Sequence, residues 1–230
     1  MCYMNTLLQR GIRLLVCDMA GTVIQENGAV YKAIATSLQR SGCKITQEQI
    51  SQWYGRSKNE VINEVLNDQF TPILAFDKYE ETMNYFNRDL HMQYFEYGSI
   101  GLIDNDIPTF FNKLRNNGIK IGLNTGYSKP MQQEILNSLQ LDTCIDYYIS
   151  SDDVSRGRPY PYMIHRLMEE AGLEDVKMIA KAGDTVIDMC EGKNAGCGLT
   201  IGVLSGATSR KNLKNSNTAD IIVDKLTDLK

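Results

Sequence analysis

Carboxylates that could bind a metal ion stand at two places that the sequence predicts to be strand ends. Asp18 follows the apolar run 14–17, and a parallel strand of that kind ends at the sheet edge where open α/β folds bind their ligands. Asp184 and Asp188 follow another apolar run, and their spacing of four brings the two side chains together once a helix begins. These three carboxylates suffice to hold Mg²⁺, with water and a phosphate completing its shell.

Two further motifs offer groups that hold an anion. Thr125-Gly126 follows a predicted strand and precedes a predicted helix N-terminus, where a hydroxyl and backbone N–H groups stabilise negative charge. Arg158 precedes Pro159 in a turn, and its planar guanidinium can donate to two phosphoryl oxygens at once. Each motif alone predicts only a turn. Together with the carboxylates at strand ends, they indicate one site at one edge of a sheet.

The composition excludes several other classes of function. The 230 residues carry a formal net charge of −4, whereas proteins that bind nucleic-acid backbones are basic, so we expect no nucleic-acid partner. No apolar run approaches the about 18 residues of a membrane span, and the first residues lack the basic-then-apolar order of a secretory leader. We therefore expect a cytoplasmic protein with no membrane partner.

The cysteines predict neither disulfides nor a zinc site. The sequence has 6 cysteines and 2 histidines, and no two cysteines form a C-x-x-C pair. We expect reduced thiols, several of them buried. The cysteines are Cys2, Cys17, Cys43, Cys144, Cys190 and Cys197.

The sequence predicts that the motifs lie on strands that alternate with helices. This alternation is typical of a parallel sheet covered by helices on both faces. Residues 26–97 interrupt this pattern with helical spacing of apolar residues, and Thr46 with Gln49 predicts a helix N-terminus there. The sequence thus predicts an α/β core of residues 1–25 and 98–230 with an inserted helical domain. Further helices are predicted at 29–41, 57–67, 107–117 and 160–171, and strands at 119–123, 147–150, 178–182, 199–203 and 221–223.

The motifs resemble those of a known enzyme group over nearly the whole chain. D-x-A-G-T at 18–22, T-G-Y-S at 125–128, G-R-P-Y-P at 157–161 and G-D-T-x-x-D-x-x-E-G-x-N-A-G at 183–196 are similar to the phosphonatase branch of the haloacid dehalogenase superfamily. The resemblance implies a Rossmann-like core, a parallel sheet flanked by helices, with a helical cap domain inserted after the first strand.

The resemblance also implies a role for each motif. Asp18 would attack phosphorus and form an aspartyl phosphate. Mg²⁺ is the implied cofactor, and Asp188 would be either one of its ligands or a partner that orients one. The residues expected to hold the metal are Asp18, the main-chain carbonyl of Ala20, Asp184 and Asp188. The residues expected to bind the phosphoryl group are Thr125, Gly126 and Arg158, with Ala20 beside them.

Ala20 constrains the chemistry most sharply. Ordinary phosphatases of the superfamily carry a second aspartate at this position, which protonates the leaving group and later activates water. Such acid–base help contributes about 10²–10⁴-fold in rate, and a methyl group supplies none of it. The resemblance therefore implies a substrate whose leaving group is activated in another way. Phosphonatases use a cap lysine that forms a Schiff base with the substrate aldehyde.

Lys58 is the candidate for that lysine. Gly55 stands three residues before it, at the start of a predicted helix, a spacing similar to that of the phosphonatase cap loop. The same residues also suit a plain helix N-terminus with an exposed lysine. In the Schiff-base interpretation Arg56 would lower the pKa of the lysine, and alternatively it would bind a substrate anion directly.

Three functions remain open on the sequence. The first is a phosphonatase-like hydrolase of a small phosphorylated or phosphonate substrate. The second is a phosphomonoesterase of the phosphoglycolate phosphatase kind, and the third is a regulatory protein that binds a phospholigand with little catalysis. The expected assembly is a monomer or a homodimer formed through the cap.

Overall fold

The computed structural model describes residues 3–229, and these divide into two compact units. One unit contains the residues up to Gln25 together with those from Leu102 onward. The other unit is Glu26–Gly101. The sequence-based division into a core of residues 1–25 and 98–230 with an inserted domain at 26–97 stays a prediction.

The elements follow one another as strands and helices in the first unit and as helices in the second. In chain order the strands are β1 (Leu14–Asp18), β2 (Ile24–Gln25), β3 (Gly101–Leu102), β4 (Lys120–Thr125), β5 (Tyr147–Ser150), β6 (Ile179–Gly183), β7 (Leu199–Val203) and β8 (Ile221–Val223). The helices are α1 (Tyr3–Gln9), α2 (Ala29–Arg40), α3 (Gln47–Gln52), α4 (Lys58–Gln69), α5 (Pro72–His91), α6 (Ile107–Asn116), α7 (Lys129–Ser138), α8 (Tyr162–Glu170), α9 (Val186–Ala195) and α10 (Arg210–Asn215). A π-helix, Met92–Glu96, continues α5.

Within the described residues, a six-stranded parallel sheet in the order β5-β4-β1-β6-β7-β8 forms the first unit. β1 is central, since it pairs with both β4 and β6, and every residue of it is buried. Helices flank the sheet, as expected for a parallel sheet whose strands are apolar along their length. The α/β fold class predicted from the sequence is confirmed.

Apolar packing fixes the helices against this sheet. Leu14 and Val16 of β1 belong to one buried cluster with Met163, Ile164 and Leu167 of α8. Since successive side chains of a strand alternate between faces, Asp18 shares the face of these two β1 residues. The carboxylate at the end of β1 therefore continues an apolar row and is held on the α8 side of the sheet.

The second unit consists of helices, as the sequence predicts. Thr46 caps α3 in a capping box: its hydroxyl accepts a hydrogen bond from Gln49 N–H at 3.3 Å, and Gln49 Oε1 accepts one from Thr46 N–H at 2.9 Å. Helices α2, α4 and α5 pack on one another. They bury an apolar face that includes Ile34, Ile62 and Phe86.

Some features were not visible in the sequence. Helix α1 and the two-stranded sheet of β2 and β3 were not predicted, because elements this short carry no periodic signal. The five cysteines within the described range are free thiols, as expected, whereas Cys2 lies outside it. Among the described helices, none combines the length and apolar character needed to cross a bilayer.

We predict that Leu167→Ala lowers the free energy of unfolding by about 2–5 kcal/mol, because it removes a fully buried side chain between α8 and β1. Equilibrium urea unfolding followed by circular dichroism measures this change. The matched control is Arg166→Ala on the same helix, whose exposed side chain should contribute less than about 0.5 kcal/mol. Equal effects of the two substitutions would contradict the assigned packing.

Candidate active site

Asp18, the nucleophile expected from the sequence, is buried at the end of β1 and lies against a buried guanidinium. Arg158 Nη1 is 2.5 Å from Asp18 Oδ1 and also donates to Asp188 Oδ1. Burial alone would lower the pKa of Arg158, but the charges of Asp18 and Asp188 more than offset it and raise the pKa. Arg158 is therefore held as a cation between two carboxylates.

One donor of this guanidinium has no acceptor. Arg158 Nε is buried and finds no hydrogen-bond partner among the residues that the structure describes. Leaving a buried polar group unpaired costs about 1–3 kcal/mol. An anionic oxygen would supply the missing acceptor, and the planar guanidinium suits a phosphoryl group. Arg158 thus has the geometry that phosphate binding requires.

Asp18, Asp184 and Asp188 form a buried group with the geometry of a metal site. One oxygen of each carboxylate lies within 4.8 Å of the others. Asp184 Oδ2 accepts a hydrogen bond from Ala207 N–H at 2.6 Å. Burial raises the pKa of Asp184, and the charges of Asp18 and Asp188 raise it further. The positive groups near Asp184 therefore do not fully offset the negative charges of the carboxylates around it.

The charge balance of the cluster favours a divalent cation. Four buried carboxylates surround two buried cations: Asp18, Asp184, Asp188 and Glu191 against Arg158 and Lys181. With every carboxylate ionised, the excess is two negative charges, which is the charge that Mg²⁺ would neutralise. Carboxylate oxygens are also the ligands that Mg²⁺ prefers. The residues present therefore fit a magnesium ion.

Both carboxylate oxygens of Asp188 contact other protein groups, which is more than a simple metal ligand requires. Its Oδ1 contacts both Arg158 and Lys181 Nζ, the latter at 3.1 Å. Its Oδ2 accepts hydrogen bonds from the hydroxyl of Thr185 at 2.5 Å and from the N–H of Thr185 at 3.2 Å. Although burial opposes ionisation, Arg158 and Lys181 hold the pKa of Asp188 below its usual range. Of the two roles open on the sequence, this geometry favours that of a partner that orients other groups.

Two glycines let these carboxylates approach the backbone closely. A β-carbon on Gly183 would lie 2.3 Å from Asp188 Cβ, and one on Gly206 would lie 2.0 Å from Asp184 Oδ2. Neither distance is compatible with van der Waals contact. Glycine at these two positions therefore allows the carboxylates of Asp188 and Asp184 to lie directly against the main chain.

Thr125 is the last residue of β4, and Gly126 follows it in the segment before α7. Thr125 is buried at the end of β4, and its hydroxyl accepts a hydrogen bond from Tyr127 N–H at 3.2 Å. Ala20 is half-buried in the turn after β1 and forms a β-bridge with Ile24. The main-chain carbonyl of Ala20 as a metal ligand stays a prediction.

Sequence reasoning missed three polar residues that adjoin the site: Asn124, Lys181 and Glu191. All three are fully buried, and Lys181 Nζ lies 3.3 Å from Glu191 Oε2. A signal was present, since a lysine inside an apolar strand needs a buried partner. Glu191 stands three residues after Asp188 and shares its helix face, which is where that partner would be sought.

The candidate lysine belongs to the helical unit. Lys58 is the first residue of α4 and is buried, so the alternative of an exposed lysine does not hold. Its Nζ donates to the carbonyl of Arg56 at 3.3 Å and lies 5.8 Å from the centroid of the Tyr31 ring. Arg56 itself is ion-paired with Glu64 of α4. Tyr31 also accepts a hydrogen bond from Gly55 N–H at 3.1 Å, which orders the loop before Lys58.

Comparison with known proteins identifies close relatives of the chain. It is 29% identical over 211 residues to the phosphonoacetaldehyde hydrolase of Bacillus cereus (strain ATCC 14579), a match covering 86% of this chain and 77% of that one. It is 29% identical over 208 residues to a bifunctional phosphonoacetaldehyde hydrolase/aminoethylphosphonate transaminase of Clostridioides difficile (strain 630). That match covers 86% of this chain but only 32% of the longer protein.

Solved structures show the same fold. A phosphonoacetaldehyde hydrolase-like protein from Oleispira antarctica superposes with a TM-score of 0.76 at 24% identity, over 96% of this chain and 90% of that one. The sequence profile described as haloacid dehalogenase-like hydrolase matches residues 15–202, most of the chain. The chain is therefore a hydrolase that belongs to the haloacid dehalogenase-like family.

Proposed function

We propose that the chain is a magnesium-dependent, phosphonatase-like hydrolase that cleaves a small phosphorylated or phosphonate substrate through an aspartyl-phosphate intermediate on Asp18. The observation that carries this proposal is the buried constellation at the end of β1. The Asp18 carboxylate, a guanidinium whose Nε finds no partner among the described residues, and a carboxylate group suited to a divalent cation lie close together there. The relatives named phosphonoacetaldehyde hydrolase support the same reaction class.

Asp18 acts as the nucleophile in this reaction. Its carboxylate oxygen forms a bond to phosphorus while the bond from phosphorus to the leaving group breaks in line. Arg158 donates to the phosphoryl oxygens and offsets their charge, so that the carboxylate can approach an anion. Water then attacks phosphorus and releases inorganic phosphate, which returns Asp18 to its free form. Asp18 and Asp184 would hold Mg²⁺, which would neutralise further negative charge.

The leaving group requires separate activation, because Ala20 has no proton to give. We assign this task to Lys58 when the substrate is an aldehyde: its amine condenses with the carbonyl, water is lost, and the resulting iminium accepts the electron pair of the breaking carbon–phosphorus bond. The enamine formed on Lys58 is then protonated at carbon, and water hydrolyses the imine to release the dephosphorylated aldehyde and the free lysine. Two observations support this assignment. Lys58 is largely withdrawn from solvent, and its position is fixed by the Arg56 carbonyl and the Tyr31 ring.

Asp18→Asn tests the nucleophile. We expect phosphate release in the presence of Mg²⁺ to fall by at least about a thousandfold, because the amide has almost the same shape but cannot form the aspartyl phosphate. Turnover is measured on phosphonoacetaldehyde and on a panel of phosphomonoesters. The control is Asp224→Asn, an exposed carboxylate that should leave turnover unchanged. Full turnover of Asp18→Asn would overturn the mechanism.

Lys58→Arg tests the Schiff base. Arginine keeps the positive charge but does not form the imine, so cleavage of phosphonoacetaldehyde and borohydride trapping of the aldehyde on residue 58 should both be lost. Lys44→Arg, an exposed lysine of the same unit, is the control and should retain both. If phosphonoacetaldehyde is untouched by the wild-type chain while phosphomonoesters are cleaved, the phosphomonoesterase is the correct function. If neither class is cleaved but phosphate binds, the regulatory alternative is correct.

Removal of the metal tests the carboxylate group. We expect chelation by EDTA to abolish turnover and Mg²⁺ to restore it. Mg²⁺ should also raise the thermal unfolding midpoint, since a ligand at a hundred times its Kd stabilises the folded state by about 2.7 kcal/mol. Asp184→Asn should reduce this stabilisation, whereas Asp224→Asn should preserve it. An unfolding midpoint that does not respond to Mg²⁺ in the wild-type chain would contradict the proposed site.

A further inference from the structure

A buried ammonium group lies directly behind the carboxylates of the site. Lys181 Nζ contacts Asn124 Oδ1 at 2.7 Å, Asp188 Oδ1 at 3.1 Å and Glu191 Oε2 at 3.3 Å. All four side chains are fully buried. We call these four residues the lysine cluster.

The lysine cluster is fully connected. Lys181 Nζ donates a hydrogen bond to Asn124 Oδ1 and forms salt bridges with the carboxylates of Asp188 and Glu191. Asn124 Nδ2 in turn donates to both carboxylate oxygens of Glu191, at 2.9 Å each. Each member therefore contacts at least one other member through a hydrogen bond or an ion pair, as in a buried polar network.

The lysine cluster joins three elements at the point where the site is assembled. Lys181 lies on β6, Asn124 on β4, and Asp188 and Glu191 on α9. Asn124 is the register partner of Asp18 on the central strand β1. The cluster thus links the two strands that flank the nucleophile to the helix that carries Asp188.

Stability alone does not account for such a cluster. A buried ion pair pays a desolvation penalty that often exceeds its Coulomb energy, and apolar residues of similar volume commonly stabilise a fold at least as well. What the cluster does provide is a fixed position for Asp188. Lys181 and Arg158 share the same oxygen of Asp188, so the position of one cation depends on the other.

We propose that Lys181, held in place by Glu191 and Asn124, is a positioning residue for the reaction on Asp18. It acts through Asp188: it fixes the carboxylate that holds Arg158 against the nucleophile. This inference rests on the proposed function for its kinetic consequence, but its structural consequence, the fixed guanidinium of Arg158, is independent of it. No metal is required for the interaction between Lys181, Asp188 and Arg158.

The double variant Lys181→Met/Glu191→Gln tests this role. It removes one positive and one negative charge, methionine fills the space of the lysine stem, and glutamine retains a hydrogen-bond partner for Asn124. If the cluster serves stability alone, a double variant with an unchanged thermal unfolding midpoint should also keep wild-type activity. The matched control is Lys193→Met/Asp220→Asn, which removes an ion pair that also involves α9 but lies outside the cluster at partly exposed positions.

Two measurements are made on each folded variant. The first is phosphate release with Mg²⁺, for which we expect kcat/KM to fall by about 10–100-fold in the cluster variant and to stay at the wild-type value in the control. The second is the Nε–H cross-peak of Arg158 in a proton–nitrogen NMR spectrum, assigned by its loss in Arg158→Lys. We expect this peak to shift or broaden in the cluster variant and to be unchanged in the control.

A folded cluster variant with a wild-type Arg158 cross-peak and kcat/KM within about twofold of wild type would overturn the inference. If the double variant does not fold, Glu191→Gln alone is used, since it keeps the shape and the hydrogen bond but weakens the hold on Lys181. The kcat/KM value and the Arg158 cross-peak of Glu191→Gln then support or overturn the inference by the same criteria. If the wild-type chain releases no phosphate from any substrate, the proposed function fails, and the NMR measurement still supports or overturns the positioning role.

Discussion

The α/β unit depends on one unfavourable interaction, the repulsion between carboxylates buried together at the end of the central strand. Asp18, Asp184 and Asp188 present oxygens within 4.8 Å of one another. At an effective dielectric constant of 20, two unit charges 4 Å apart repel by about 4 kcal/mol, comparable to much of the net stability of a domain. Arg158 and Lys181 must therefore be buried beside them, and each is fully enclosed.

The same repulsion separates the roles of two carboxylates on one short segment. Asp188 is flanked by Arg158 and Lys181, which keep its pKa low. The pKa of Asp184 is raised by burial and by its acidic neighbours, although the Ala207 N–H and the charge of Arg158 act in the opposite direction. Two titratable groups whose surroundings shift their pKa values in opposite directions are suited to different roles. The contacts of Asp188 with two cations suit a carboxylate that positions them, and the acidic surroundings of Asp184 suit a carboxylate that contacts a bound cation.

The sequence predicted the strand-end carboxylates and Arg158 because their positions follow from topology. Parallel strands end at one edge, so residues after successive apolar runs must meet there. The position of Lys181 inside an apolar strand signals that it needs a buried partner. Which residues supply that partner depends on the strand face that lies against α9, and an apolar run buried on both faces does not show this. The position of Asp188 also requires glycine at residue 183, because a β-carbon there would lie 2.3 Å from Asp188 Cβ. A packing requirement of this kind is seen only in the three-dimensional structure.

Ala20 bears on which bond such a site can break. An ester oxygen that leaves as an alkoxide needs a proton at the moment of cleavage, and the residue two after the nucleophile is the one that cannot give it. Asp188 is held as an anion by two cations, so it is no more able to act as an acid. A carbon leaving group conjugated to an iminium needs no proton in that step, because the electron pair moves into the nitrogen. Ala20 and the ion-paired Asp188 therefore support the proposal of a substrate whose leaving group needs no proton from either position.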